Sequence, residues 1–137
     1  MGNNIVHFEI YVDDLERAQK FYTEVLGWAF DYRKDYDYTL VYPGGKVTEG
    51  PATVGVNGGM MKRNAPAPSD DKASPNAFVC TISVDDVDAT LEKVTANGGR
   101  IDVPAMEVPG VGRLAYVRDS EMNLIGLLKP DMSSMGM

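Results

Sequence analysis

A short string, Val12-Asp13-Asp14, returns as Val84-Asp85-Asp86, 72 positions further along the chain. The residues around each copy return in the same roles. An alternating β-branched run precedes the string, a helical stripe follows it, and glycine closes it. Sliding the sequence on itself matches Ile10, Val12, Asp13, Asp14, Thr23 and Gly27 to Ile82, Val84, Asp85, Asp86, Thr95 and Gly99. A chain that places strand, cap and stop twice in one register is built from two copies of one module.

In the first copy, residues 5–12 alternate with period two. Val6, Phe8, Ile10 and Val12 therefore share one face of a strand, and Ile5, His7, Glu9 and Tyr11 the other. Asp13 with Glu16 three residues on reads as a helix cap. Leu15, Ala18, Phe21, Tyr22, Val25 and Leu26 then form one apolar stripe that ends at Gly27. Strands are expected at about 28–33, 37–42 and 52–61. In the second copy the strand is 78–84, Asp85 caps, Val87, Leu91 and Val94 make the stripe, and Gly98-Gly99 stop it. Strands are expected again at about 101–104, 112–118 and 123–129.

Both copies thus read strand, helix, three strands. The fold class is α+β: two tandem βαβββ modules forming a curled mixed sheet around a shared cavity. The expected organisation is a single domain over 1–137. Module one runs from about 4 to 62, an exposed proline-containing linker from about 63 to 76, module two from about 77 to 130, and a frayed tail from 131 to 137.

Composition narrows the partners. The 137 residues carry a net charge of −7 and are 44% hydrophobic, enough for a core without staples. Such acidity repels nucleic-acid phosphates and anionic lipid surfaces, and would suit a cationic ligand. No apolar run is long enough to span a bilayer. One cysteine, Cys80, cannot form an internal disulfide framework or a cysteine zinc site. With no leader-like start the expected address is cytoplasmic. Cys80 alternates onto the helix-covered face, so a buried, unreactive thiol is expected.

The apolar face of each first strand belongs under its helix, so the opposite faces line the cavity. That puts His7, Glu9 and Tyr11 in the cavity from the first module, and Val79, Thr81 and Ser83 from the second. His7 and Glu9, two apart on a strand, emerge together, close enough for a carboxylate–imidazole hydrogen bond and for proton transfer. They are the candidate catalytic pair. Tyr11, Thr81, Ser83 and Arg113 are the candidate substrate-binding residues, Tyr11 by stacking and Arg113 by holding an anionic group.

Particular strings extend this reading. His7-Phe-Glu-Ile-Tyr-Val-Asp-Asp-Leu-Glu, Phe21-Tyr22 and Val25-Leu26-Gly27-Trp28 stand in the first module. Ile82-Ser-Val-Asp-Asp-Val-Asp, Gly98-Gly99, Gly110-Val-Gly-Arg113 and the run from Asp119 to Pro130 stand in the second. With these the chain resembles the vicinal oxygen chelate superfamily, the glyoxalase, bleomycin-resistance and extradiol-dioxygenase group built from paired βαβββ modules. The resemblance implies a glyoxalase-like fold, a small-molecule ligand and a homodimer. Metal-dependent members place four ligands in the cavity, from the first and last strand of each module. His7 fits the first position, but Val79 stands at its equivalent, and Gly58-Gly59-Met60 and Ile125-Gly126-Leu127 put glycine where the family has glutamate. Transition-metal sites need at least three good protein ligands. No cofactor is therefore expected, and a divalent metal is disfavoured.

The function that follows is metal-independent binding of a small organic molecule in the inter-module cavity, with any acid–base chemistry carried by His7 and Glu9, in the manner of a glyoxalase-like lyase or isomerase lacking the usual metal centre. Two alternatives accompany it. One is stoichiometric sequestration of an antibiotic or toxin. The other is a metal-dependent lyase or dioxygenase whose ligands are completed by a second chain.

Overall fold

The computed structural model describes residues 2–49, 52, 54–67 and 78–131. The chain divides into two units, Met1–Pro66 and Ala67–Met137. Each is a helix with a four-stranded mixed sheet, as the repeat requires. Most of the expected linker, from residue 68 onward, and the tail from 132 lie outside the described residues.

The first unit runs β1 (Phe8–Val12), α1 (Leu15–Leu26), β2 (Ala29–Arg33), a 3₁₀ turn (Lys34–Tyr36), β3 (Tyr38–Tyr42) and β4 (Gly58–Lys62). Its sheet order is β1-β4-β3-β2, with β1 parallel to β4 and the other neighbours antiparallel. The second unit repeats it with β5 (Cys80–Ser83), α2 (Val87–Ala96), β6 (Arg100–Val108), β7 (Gly112–Arg118) and β8 (Leu124–Pro130), in the order β5-β8-β7-β6.

The helical stripes are those the periodicity predicts. α1 buries Ala18, Phe21, Tyr22 and Val25, and α2 buries Val87, Thr90, Leu91 and Val94. Gly27 closes α1 in the left-handed region at φ 72°, where a Cβ would be penalised. Trp28 then folds back so that its ring stacks on Tyr22 at 4.8 Å and 15°. The core of this unit gathers under the helix: Val12, Phe21, Tyr22, Val41 and Met60 are all essentially inaccessible.

Several expectations are corrected. Asp14 and Asp86 cap the helices, not Asp13 and Asp85: their carboxylates accept from the N–H groups of Arg17 and Ala89 at 3.0 Å. The extended backbone of the second aspartate of each pair puts its side chain, and not its neighbour's, over the first turn. β1 starts at Phe8 instead of Ile5, because its partner β4 starts at Gly58, opposite Phe8, leaving Ile5 and Val6 exposed. β4 itself is shorter than 52–61, with Gly55 in the left-handed region just ahead of it. β6, expected as 101–104, continues to Val108 along β7. Cys80 is exposed. α2 packs chiefly on β6 and β7, so the edge strand β5 lies beyond its cover.

An ionic cluster holds β6 and β7 in register. Arg100 and Arg118 are direct cross-strand partners, a placement that repels unless something intervenes. The register shift between Ile101 and Val103 turns Asp102 inward to meet both, at 2.9 Å from Arg100 and 2.8 Å from the fully buried Arg118. Burial alone would raise the Asp102 carboxyl, but the two guanidinium groups outweigh it and hold it below its ordinary value. Among the described residues no helix is long and apolar enough to cross a membrane.

The cap assignment is directly testable. Asp86→Ala should cost about 1 kcal/mol in chemical denaturation. Asp85→Ala, at an exposed position outside the cap, should stay within about 0.5 kcal/mol; the opposite ranking would restore the first aspartate as the cap.

Candidate functional site

The open face of the first sheet is set by its register. Glu9 lies opposite Gly59 on β4, and Gly59 lies opposite Leu40 on β3. Tyr11 lies opposite Met61 one row further on. Period-two alternation brings His7, Glu9 and Tyr11 to this face together.

Position 59 decides what happens next. A Cβ there would fall inside the phenol of Tyr38. Because glycine leaves that volume open, the Tyr38 side chain leans diagonally across β4 and delivers its hydroxyl between Glu9 and His7. The hydroxyl donates to Glu9 Oε1 at 2.7 Å and stands 2.9 Å from His7 Nε2. Tyr11 donates to the other carboxylate oxygen, Oε2, at 2.5 Å. A phenol has one proton, and Tyr38 spends it on Glu9, so His7 must be the donor in its contact, with its proton on Nε2. The imidazole and the Tyr38 ring also stack, 6.3 Å between centroids and 24° between planes.

Electrostatics follow from these contacts. The hydrogen bond from Tyr11 and then that from Tyr38 hold the Glu9 carboxyl below its ordinary value, against a small opposing effect of burial, with the charge of His7 adding to them. Both phenols shift the other way. Tyr11 is raised by its bond to Glu9, and Tyr38 by burial first and then by Glu9. Glu9 is therefore a carboxylate at neutral pH, clamped between two phenols that stay protonated. Beside His7, a depression of about 210 Å³ opens over Val6, Leu40, Val41, Tyr42, Ala52, Asn57 and Gly58.

The structure thus joins three of the sequence-derived site residues, His7, Glu9 and Tyr11, and adds Tyr38. The expected direct bond between His7 and Glu9 is replaced by a bridge through the Tyr38 hydroxyl. Alternation along β3 put Tyr38 on a strand with Leu40 and Tyr42 but gave no reason to single it out. The signal was on the neighbouring strand, in Gly58-Gly59, since a glycine inside a strand marks a place where another group must approach.

The remaining candidates belong to the second unit. Thr81 and Ser83 lie on one face of β5, both exposed. Thr81 sits opposite Gly126, where an added Cβ would stand 2.7 Å from the Thr81 hydroxyl. Arg113 is turned to carboxylates of its own unit. Its Nε and Nη2 grip Asp88 at 3.0 and 2.9 Å, and its Nη1 reaches Glu107 at 3.1 Å.

Comparison with known proteins fits this architecture. Residues 4–127 match the Glyoxalase/Bleomycin resistance protein/Dioxygenase superfamily, and the chain belongs to that family. It is 32% identical over 120 residues to CFP32, a Mycobacterium tuberculosis protein named as a glyoxylase, the match taking 87% of this chain and 42% of that one. It therefore spans about two fifths of the length of that relative. It is 30% identical over 141 residues to a Vibrio parahaemolyticus protein named as a lactoylglutathione lyase, covering 99% and 97% of the two chains. Among solved structures, the fosfomycin resistance protein FosX of Listeria monocytogenes superposes with a TM-score of 0.71 at 16% identity, over 98% of this chain and 97% of that one. TnmS3, an antibiotic-binding protein from Streptomyces sp. CB03234, gives 0.64 at 23%, over 96% and 99%. These two likenesses are likenesses of fold.

The family's metal-ligand positions are mostly taken here by residues without donor side chains. Of its four ligand positions only His7 offers a donor side chain. Val79 offers none, Gly59 is overlain by Tyr38, and Gly126 is closed by Thr81. Among the described residues, no group of three or more His, Cys, Asp or Glu side chains could hold a metal ion.

Two measurements probe the cluster. Gly59→Ala should cost about 1–3 kcal/mol by overpacking, and much of that cost should disappear when Tyr38 is also Ala; equal penalties in both backgrounds would mean that Tyr38 does not fill the gap. In NMR titration, Tyr38→Phe should raise the Glu9 pKa toward its ordinary value. Because the folded-state value is depressed, Glu9 contributes stability above the ordinary carboxyl range, and this is lost as pH falls through the lowered value. An unchanged Glu9 titration in Tyr38→Phe would contradict the bridge.

Proposed function

We propose that this chain binds a small organic molecule at the Tyr11–Glu9–Tyr38–His7 cluster on the open face of its first sheet, without a resident metal. The observation that supports it most directly is the carboxylate of Glu9. It is an exposed group, yet both its oxygens are held by phenols and its orientation is fixed, as a recognition group requires. The depression next to His7, walled by Leu40, Val41 and Tyr42, supplies adjoining apolar surface. Thr81 and Ser83, exposed on one face of β5, are proposed as ligand-binding residues of the second unit taken by itself. The position of Arg113, already engaged by two carboxylates, argues against it as an anion-holding residue.

Sequestration accords with this reading. TnmS3 is an antibiotic-binding protein and FosX a resistance protein of the same fold, and a binder needs only a pre-formed site. Proton transfer is the second reading, and the chain His7–Tyr38–Glu9 favours it. In that reading His7 is the base, because a carboxylate with a lowered pKa is a weak one. The pair His7 and Glu9 then act through Tyr38.

Ligands found by fragment screening in the presence of EDTA should lose at least about tenfold in affinity to Glu9→Gln, a loss of about 1.4 kcal/mol. A set of cavity ligands whose binding ignores Glu9→Gln and Tyr38→Phe, or appears only with added metal, would refute the proposal. Protection against a bound toxic compound should scale one to one with protein; protection at far lower protein levels would move the balance to catalysis.

A further inference from the structure

The hydrogen-bond polarity of the cluster carries the argument one step beyond the proposed function, on which it rests. Each proton in it is already spent. Tyr11 gives its own to Glu9 Oε2, Tyr38 gives its own to Glu9 Oε1, and the Nε2 proton of His7 goes to the Tyr38 oxygen. What is left for a ligand is of one kind. An ionised carboxylate has about four lone-pair sites, and the phenols use two of them. In its neutral form the imidazole leaves Nδ1 as an acceptor. With His7 in that form the cluster presents acceptors and a fixed negative charge, and no unspent donor.

The surroundings do not reverse this. Arg63, the guanidinium on the strand end nearest Tyr11, donates to the Tyr11 carbonyl at 2.8 Å and lies 3.2 Å from the Asp13 carboxylate. Arg33, on the edge strand, is engaged by the Tyr36 hydroxyl and paired with Asp31 at 3.3 Å. Aromatic rings stand beside the charge: Tyr11 and Tyr38 both donate to Glu9, and the exposed Tyr36 ring lies 6.4 Å from that of Tyr38. A carboxylate flanked by electron-rich ring faces attracts organic ammonium groups by charge, by hydrogen bonding and by cation–π contact. The same arrangement repels an anion, which would find no donor and would lose its hydration. The chain's net charge of −7 acts in the same direction at longer range.

We infer that the ligand of this site is an organic amine, bound as its ammonium ion on Glu9 with its apolar part in the depression beside His7, and that anionic compounds of the same shape are rejected. The specificity is opposite to that of a site built for a phosphonic or carboxylic acid.

Three probes of one shape separate the possibilities: tyramine, its neutral counterpart tyrosol, and the anionic 3-(4-hydroxyphenyl)propionate. Each is titrated into the full chain at physiological salt, with the amide signals of Glu9, Tyr11, Tyr38 and Gly59 and the ring signals of His7 followed by NMR. Tyramine should move these signals with a dissociation constant at least about tenfold below that of tyrosol, and the propionate should leave them unmoved. Glu9→Gln should bring tyramine down to the level of tyrosol. Tyr38→Phe, which keeps the charge, should weaken tyramine while preserving its advantage. The inference is overturned if the propionate binds at the cluster as well as the amine, or if tyramine leaves the cluster unperturbed. Propionate binding that still depends on Glu9 or Tyr38 would leave the site itself standing, whereas perturbations confined to other residues by all three probes would remove both the inference and the site.

Discussion

A missing side chain organises the first unit. β4 runs between β1 and β3, and the row Glu9, Gly59, Leu40 crosses all three strands. A residue with a Cβ at 59 would separate the tyrosine of one outer strand from the glutamate of the other. With none there, a β3 side chain can cross its neighbour and complete a cluster whose other members come from β1. Packing and polarity are one event at this point. The ring that fills the gap under van der Waals contact also delivers the hydroxyl that links carboxylate to imidazole.

The second unit meets the same topology with different chemistry. Its equivalent glycine, Gly126, is closed by Thr81 from the adjacent strand, a short side chain that fills the space without reaching further. Its polar capital lies elsewhere, between β6 and β7, where a register shift at Asp102 reconciles two arginines that the ladder sets face to face. A buried ion pair of this kind adds little net stability over an apolar substitute, but it penalises a slipped register heavily, since the slip would strand a buried guanidinium. The two copies therefore share a scaffold and differ in what their open faces can hold.

How much of this the sequence discloses depends on the range of the interaction. The helical stripes, the glycine stop at Gly27 and the strand–helix–three-strand order are local patterns, and they read correctly. The aspartate pairs show where local pattern stops being enough: both members have capping chemistry, and only the backbone angles select Asp14 and Asp86. Strand ends fail for a related reason, since Ile5 and Val6 have the composition of a strand but no partner residues across from them. Cys80 falls on the expected face of an edge strand that its helix does not cover. The cluster is the least legible part. His7, Glu9 and Tyr11 share one strand and so announce themselves by alternation, whereas Tyr38 arrives from 29 residues beyond Glu9 through a gap that only the register of β4 defines.

The pairing of Tyr38 with Gly59 also constrains how this sequence can change. Any side chain added at 59 meets the phenol already there, and a smaller residue at 38 opens a hole above a bare backbone and releases His7 and one oxygen of Glu9. Each single step carries a packing or hydrogen-bonding cost, so substitutions at the two positions are coupled. A carboxylate at position 59 thus lies across a valley in the mutational landscape, and the polar cluster is insulated from drifting, one substitution at a time, into the donor set that its fold elsewhere supports.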